Sequence, residues 1–264
     1  MCKLKSAIVL KDRIFIPEYD SHSDMLNELG IKDDYLGASK KFVRVELSPE
    51  DGDVFSNIDG WKLTVDQDIR PEWFSEEECK PKMIEAVKQW AKTHIHIGVD
   101  GLKIDGGKNH YIKNCKNIEI SNSTVKAWGN STVEAWGNST VKACGNSTVK
   151  AWGNSTVEAW DNSTVKAWGN STVEAWGNST VKACGNSTVK AWNNSTVKAW
   201  GNSTVKAWDN STVMNIPYWT WYKQNALVIA DNATFKDKTG KVIYQSGDYK
   251  LISVESGKTI GEVK

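Results

Sequence analysis

The sequence predicts a mainly β protein. Its middle third is a flattened β-solenoid of about 16 residues per coil, with an N-terminal α+β domain and a C-terminal β-hairpin cap. Three observations predict the solenoid. Residues 122–213 hold twelve consecutive octapeptides of the form Asn-Ser-Thr-Val-(Lys/Glu)-Ala-Trp-Gly. Within each, Ser-Thr-Val-Lys-Ala-Trp alternates with period two, the period of a strand. The residue before each Asn is Gly in most repeats, with Asp161, Asn193 and Asp209 as substitutes and Ser121 before the first. Gly, Asn and Asp are the residues that best tolerate positive φ, so each octapeptide reads as one strand and one left-handed corner.

Parity assigns the faces. Lys and Glu cannot sit unpaired in an apolar core, so Thr, Lys/Glu and Trp point outward. Ser, Val and Ala point inward, and their small size requires a thin interior. Two strands face to face give sixteen residues per coil; three strands would enclose an interior too wide for Val and Ala to fill. Six coils at the spacing of parallel strands make a rod about 28 Å long. The Asn of the octapeptide never varies across the array, which suits a column of side-chain amides bonding from coil to coil. One octapeptide buries little, so stability must come from stacking, with the flanking segments as caps.

The remaining elements follow in chain order. Residues 1–105 read as the α+β domain. Ser6–Leu10 and Arg13–Glu18 suit a hairpin across Lys11-Asp12. Ser21 with Asp24 opens a short helix that Gly30 stops. Lys41–Leu47 and Trp61–Gln67 alternate like strands. Ser75 with Glu78 opens a second helix, expected to be interrupted near Pro81 and to continue to about Thr93. Its apolar face carries Met83, Ile84, Val87, Trp90 and Ala91. His94–Val99 reads as a further strand, and residues 106–121 as an irregular lead-in coil. Residues 214–264 hold the aromatic insertion Ile216–Tyr222, one echo of the repeat at Asp231–Lys236, and hairpins around Thr239-Gly240 and Ser246-Gly247.

Bulk properties restrict the function. Net charge is +1 over 264 residues, so the chain carries no global polyelectrolyte signal. The first apolar run, Ala7–Leu10, is four residues long, too short for a signal-peptide core, and the expected location is cytoplasmic. No 18-residue apolar stretch exists, so no membrane association is expected. Cys2, Cys79, Cys115, Cys144 and Cys184 are odd in number and lack CxxC spacing, which argues against a disulfide framework or a zinc ribbon. His94 and His96 would share one strand face, but no third ligand stands at a telling spacing, and no metal site is expected. Asp20-Ser-His-Ser-Asp24 is read as a helix cap rather than an acid–base pair. No acid, base and nucleophile converge, so no enzyme and no cofactor are expected.

The outer columns are the candidate binding surface. With sixteen residues per coil, one face stacks Trp128, Cys144, Trp160, Trp176, Trp192 and Trp208. The other stacks Trp136, Trp152, Trp168, Cys184 and Trp200, beside the lysines Lys150, Lys166, Lys182 and Lys198. Three readings follow. The rings can pack on one another and on lysine stems, stabilising the sheet. They can form a self-association surface, making a homodimer through a solenoid face. Trp beside Lys can bind a polyanion or another ligand. Trp219 and Trp221 of the aromatic insertion serve as a lid or as a further binding patch. The expected function is a non-enzymatic scaffold presenting Trp, Thr and Lys/Glu ladders to a protein partner or to copies of itself.

The octapeptide resembles the repeats of β-solenoid proteins from gut bacteria and their phages. Trp61–Phe74 and His94-Ile-His-Ile-Gly98 resemble segments preceding such arrays. That resemblance implies the fold and carries over no functional residues. A phage origin would imply counter-defence in a host cytoplasm, through a nucleic acid or a host protein that binds one. The Ser-Thr-Val-Lys-Ala segment is similar, more loosely, to the sixteen-residue repeats of ice-nucleation proteins, which implies ice binding; the regularly spaced Trp rings, for their part, can stack on sugars, the glycan-binding alternative. Here Lys or Glu stands where that repeat has its second Thr, which removes the uncharged hydroxyl row.

Overall fold

The computed structural model describes residues 5–17, 19–34, 40–107 and 109–215, and the backbone of five further strands between 227 and 263. The chain divides into two compact units, residues 1–95 and 96–264.

The first unit is built on a four-stranded antiparallel sheet. Its strands are β1 (Lys5–Leu10), β2 (Ile14–Phe15), β3 (Phe42–Ser48) and β4 (Lys62–Val65), in the order β2-β1-β3-β4. The hairpin across Lys11-Asp12 forms as expected, pairing Val9 with Ile14. Helix α1 (His22–Glu28) begins at Ser21, whose hydroxyl accepts the Asp24 amide, and Gly30 follows it with φ +66°. Alternate residues of β1 and β3 serve two cores. Ile8 and Phe42 pack with Met25 and Leu26 of α1. Ala7, Val9, Val43, Val45 and Leu47 pack with Met83 and Val87 of helix α2 (Glu76–His94).

Two expectations for α2 are corrected. The helix runs through Pro81 without interruption. Proline removes the amide bond to the carbonyl four residues back and crowds it, a cost of about 3 kcal/mol. Burying Met83 and Val87, both fully enclosed, returns about 1.5–3 kcal/mol each and holds the helix on course. His94 ends this helix rather than opening a strand. Its ring stacks on Trp90 at 4.6 Å, and Nδ1 lies 2.9 Å from the Trp90 carbonyl. His94 and His96 therefore do not share a strand face.

The second unit is the solenoid. Strands β5 (Ile95–Ile97), β6 (Lys103–Asp105), β7 (His110–Lys113) and β8 (Ile118–Ser121) already belong to the two sheets of the array. Twelve strands follow, one per octapeptide, from β9 (Thr124–Trp128) to β20 (Thr212–Asn215). From β5 to β24, odd-numbered strands form a ten-stranded sheet and even-numbered ones lie in an eleven-stranded sheet. Partners within the array are sixteen residues apart, Val149 with Val165 and Val141 with Val157, so two octapeptides make one coil. The first coil is one residue shorter, pairing Ile118 with Val133. Without a repeat its corners use Asn114, Asn117 and Asn122 at positive φ.

The interior is as parity requires. Every Val and Ala of the array from Val125 to Val213 is buried, and Ser131 through Ser211 are fully buried. Each buried hydroxyl that faces its own corner is satisfied there: Ser171 donates to the Trp168 carbonyl at 2.7 Å and Ser179 to Trp176 at 2.7 Å. The corners carry positive φ at Gly153 (+69°), Asp161 (+59°), Asn193 (+60°) and Asp209 (+55°). The asparagine ladder is present, with Asn154 Nδ2 donating to Asn138 Oδ1 at 3.3 Å and Asn170 to Asn154 at 3.4 Å.

Beyond the octapeptides the pairing continues. Strands β21 (Leu227–Ala230), β22 (Thr234–Asp237), β23 (Val242–Tyr244) and β24 (Tyr249–Ser253) extend the two parallel sheets. The second half of the repeat echo, from Thr234, thus supplies a rung, Thr234 pairing with Thr212. The hairpin turns expected at 239–240 and 246–247 lie outside the described residues, and the strands that flank them, β22, β23 and β24, alternate between the two sheets instead of pairing with their neighbours in sequence. Antiparallel pairing appears only afterwards, between β24 and β25 (Thr259–Val263), and closes the eleven-stranded sheet.

Candidate functional site

Each strand of the array turns Thr, Lys or Glu, and Trp outward, so each sheet carries three columns. The Trp column sits beside the corner. On the eleven-stranded sheet Trp136 stacks on Trp152 at 4.2 Å and Trp152 on Trp168 at 5.0 Å, the planes within 9° of parallel. On the ten-stranded sheet Trp160, Trp176, Trp192 and Trp208 stack in sequence at 4.9–5.1 Å. The rung spacing of parallel strands, about 4.8 Å, sets these distances. Ring faces are therefore used up within each column, and most rings are half-buried. Trp136, at the end of its stack, is 44 % exposed.

Two cysteines interrupt the columns. Cys144 stands where a ring would join Trp128 to Trp160, and Cys184 where one would join Trp168 to Trp200. Burial pushes the Cys144 thiol above its ordinary value, with Asp161 and Glu158 adding to the shift.

The charge columns are partly relieved. Lys150 pairs with Glu134 at 2.6 Å, Lys142 with Glu158 at 2.9 Å and Lys190 with Glu174 at 2.9 Å, each across one rung. Lys150 thus leaves the unrelieved lysine ladder expected from the sequence. Lys166, Lys182 and Lys198 follow on three successive rungs of the same sheet. Among the described residues none of these three has a carboxylate within ion-pair distance. Trp219 and Trp221 lie outside the described residues.

The first unit holds a second cluster, which the sequence reading missed. His22, Glu46 and Asp66 bring one ligand atom each to within 4.8 Å of one another. His22 and Glu46 are buried, and Asp66 is exposed. His22 Nδ1 lies 3.4 Å from Asp66 Oδ2, and Nε2 lies 3.2 Å from the Val45 carbonyl. No local spacing reveals such a set, because α1, β3 and the end of β4 assemble it across more than twenty residues. Period-two alternation does place Glu46 on a covered strand, and a buried carboxylate was the available signal. Two surface pockets of this unit are lined by other residues, among them Asp59, Glu77 and Lys88 in one and Arg13, Trp73 and Lys82 in the other. Neither includes His22 or His94.

Comparison with protein-family models, with curated proteins and with solved structures finds no match to this chain.

Proposed function

We propose that this protein is a non-enzymatic binding scaffold whose eleven-stranded face receives an anionic partner. One observation carries the reading. Every glutamate of the array is already paired with a lysine one rung away, whereas Lys166, Lys182 and Lys198 stand together without one. At one rung apart in water, neighbouring ammonium groups repel by about 0.9 kcal/mol before screening. That is too little to distort the sheet and enough to favour an arriving anion.

The same face offers an opening for a ring. Trp168 and Trp200 are two rungs apart, about 9.6 Å, with Cys184 between them. Aromatic rings stack with centroids about 4.5–7 Å apart, so the gap admits one ring and no more. A single-stranded nucleic acid supplies both features, a phosphate chain and a stacking base.

The test is binding of a single-stranded DNA oligonucleotide at rising salt. Three neutralised phosphates give a slope of log K against log salt of about −2. Lys166→Gln/Lys182→Gln/Lys198→Gln abolishes binding, while Lys142→Gln/Lys190→Gln on the opposite sheet leaves it. Cys184→Trp weakens binding by closing the gap, and Cys144→Trp does not. An absence of binding at low salt overturns this reading for nucleic acids.

A second reading is self-association, favoured by the partly exposed Trp edges on either side of each cysteine and by Trp136. Sedimentation distinguishes it: a concentration-independent monomer, unchanged by Trp152→Ser/Trp168→Ser, rules it out.

A further inference from the structure

The first unit's cluster of His22, Glu46 and Asp66 has the donor set of a divalent cation site, and we propose that it binds one transition-metal ion as a structural clasp. The argument begins with the imidazole. His22 is the first residue of α1 and is 6 % exposed. Its Nε2 faces the Val45 carbonyl at 3.2 Å, an acceptor without a proton, so Nε2 must carry the hydrogen. In the neutral ring the Nδ1 lone pair then points at Asp66 Oδ2, 3.4 Å away. Either a proton or a metal ion on Nδ1 would turn this contact into an attractive one. Metal-bound histidines are commonly held in this way, one nitrogen on the metal and the other donating to a backbone carbonyl.

The carboxylates extend the case. Glu46 is 4 % exposed in the middle of β3. Directly across the ladder on β1, on the same face of the sheet, lies Ser6. Its hydroxyl is buried and has no hydrogen-bond partner. A polar group left unsatisfied beside a buried carboxylate marks a place where something polar is expected to sit.

Distances favour a small ion. One imidazole nitrogen and two carboxylate oxygens about 2.0–2.2 Å from zinc lie roughly 3.3 Å from each other in tetrahedral geometry. The His22–Asp66 separation already matches. The remaining spread, up to 4.8 Å, closes with a shift on the order of 1 Å. Asp66 can supply that shift, since its side chain is 59 % exposed and open to solvent. The same exposure provides the entry path. Mixed nitrogen and oxygen donors suit zinc or manganese better than calcium. The bound ion would tie the start of α1 to β3 and to the end of β4.

The experiment titrates the full chain with Mn²⁺ and with Zn²⁺, by calorimetry and by the loss of the free Mn²⁺ resonance signal. Manganese is included because it discriminates against the thiols of the solenoid. One equivalent should bind and should raise the unfolding temperature, as any ligand of the folded state does. Asp66→Asn, at an exposed position, should weaken Mn²⁺ binding at least tenfold without changing the circular dichroism. His22→Ala and Glu46→Gln should do the same, and if either fails to fold, Asp66→Asn carries the test. No saturable binding in the submillimolar range, or binding that Asp66→Asn leaves unchanged, overturns the proposal and leaves a plain histidine–aspartate hydrogen bond.

Discussion

At single positions, the corner decides what the array tolerates. Gly153 has φ +69°, and a Cβ added there would lie 3.1 Å from the Gly137 carbonyl oxygen. Asp161 occupies the equivalent corner of another repeat with φ +59°. Its carboxylate accepts the Gly145 amide at 3.1 Å, one rung away, and Asp209 accepts the Asn193 amide at 3.3 Å. These side chains offset the strain of the left-handed backbone with a bond that alanine cannot make. Gly153→Ala should therefore cost about 1–2 kcal/mol, and Gly153→Asp clearly less. Denaturant titration of the two variants checks the order; equal losses would refute it. The corner was legible in the sequence because Gly, Asn and Asp share one conformational ability. The chemistry at Cys144 was not, since its thiol is shifted by burial beside a neighbouring coil. The thiolate is the nucleophile, so a raised value leaves less of it at neutral pH. Cys144 should alkylate with iodoacetamide more slowly than free cysteine at neutral pH, and accelerate as pH rises into the alkaline range. Mass spectrometry of the labelled peptide reads both rates.

For strands and helices, parity was the readable quantity and connectivity was not. Val, Ala and Ser turned inward and Trp outward because a charged column cannot be enclosed. The interruption expected at Pro81 followed from local chemistry and was overruled by the packing of Met83 and Val87. Turn residues near 239 and 246 suggest hairpins, yet the strands that flank them join opposite sheets, and pairing returns one coil later. Trp columns behave as elements in their own right. Cys144→Trp would restore two ring contacts, with Trp128 and Trp160, each worth about 0.5–1.5 kcal/mol. The variant should be more stable by about 1–3 kcal/mol in urea titration. A neutral or destabilising outcome would show that the rings stack only because the rungs place them there.

Across the whole chain, the repeat made the solenoid legible and left the first unit's cluster hidden. A period reports what every coil shares, whereas His22, Glu46 and Asp66 occur once. The repeat also shows how little each face is individually specified. Residues 128–152 and 168–192 are identical, yet their equivalent strands occupy opposite sheets: Glu134 lies in the eleven-stranded sheet and Glu174 in the ten-stranded one. The fold accepts either placement because the inward residues are the same. Removing residues 153–168, one full coil, joins Trp152 to Gly169 and leaves every later strand on its own sheet. Stability in such arrays is a sum over neighbouring repeats. The shortened protein should keep its circular dichroism and melt cooperatively within a few degrees of the parent. Loss of the cooperative transition would show that the array depends on its length as a unit.

The uniform ladder has a mechanical counterpart. Each rung of the array is held to the next by the same set of backbone bonds, one coil of sixteen residues at a time. Pulled from the C-terminus, the chain peels coil by coil, as a zipper does, rather than shearing all its bonds together. Each released coil adds roughly 50 Å of contour, sixteen extended residues at about 3.3 Å apiece. An optical trap should record a train of near-equal steps at that spacing through the octapeptides, each at a modest and similar force.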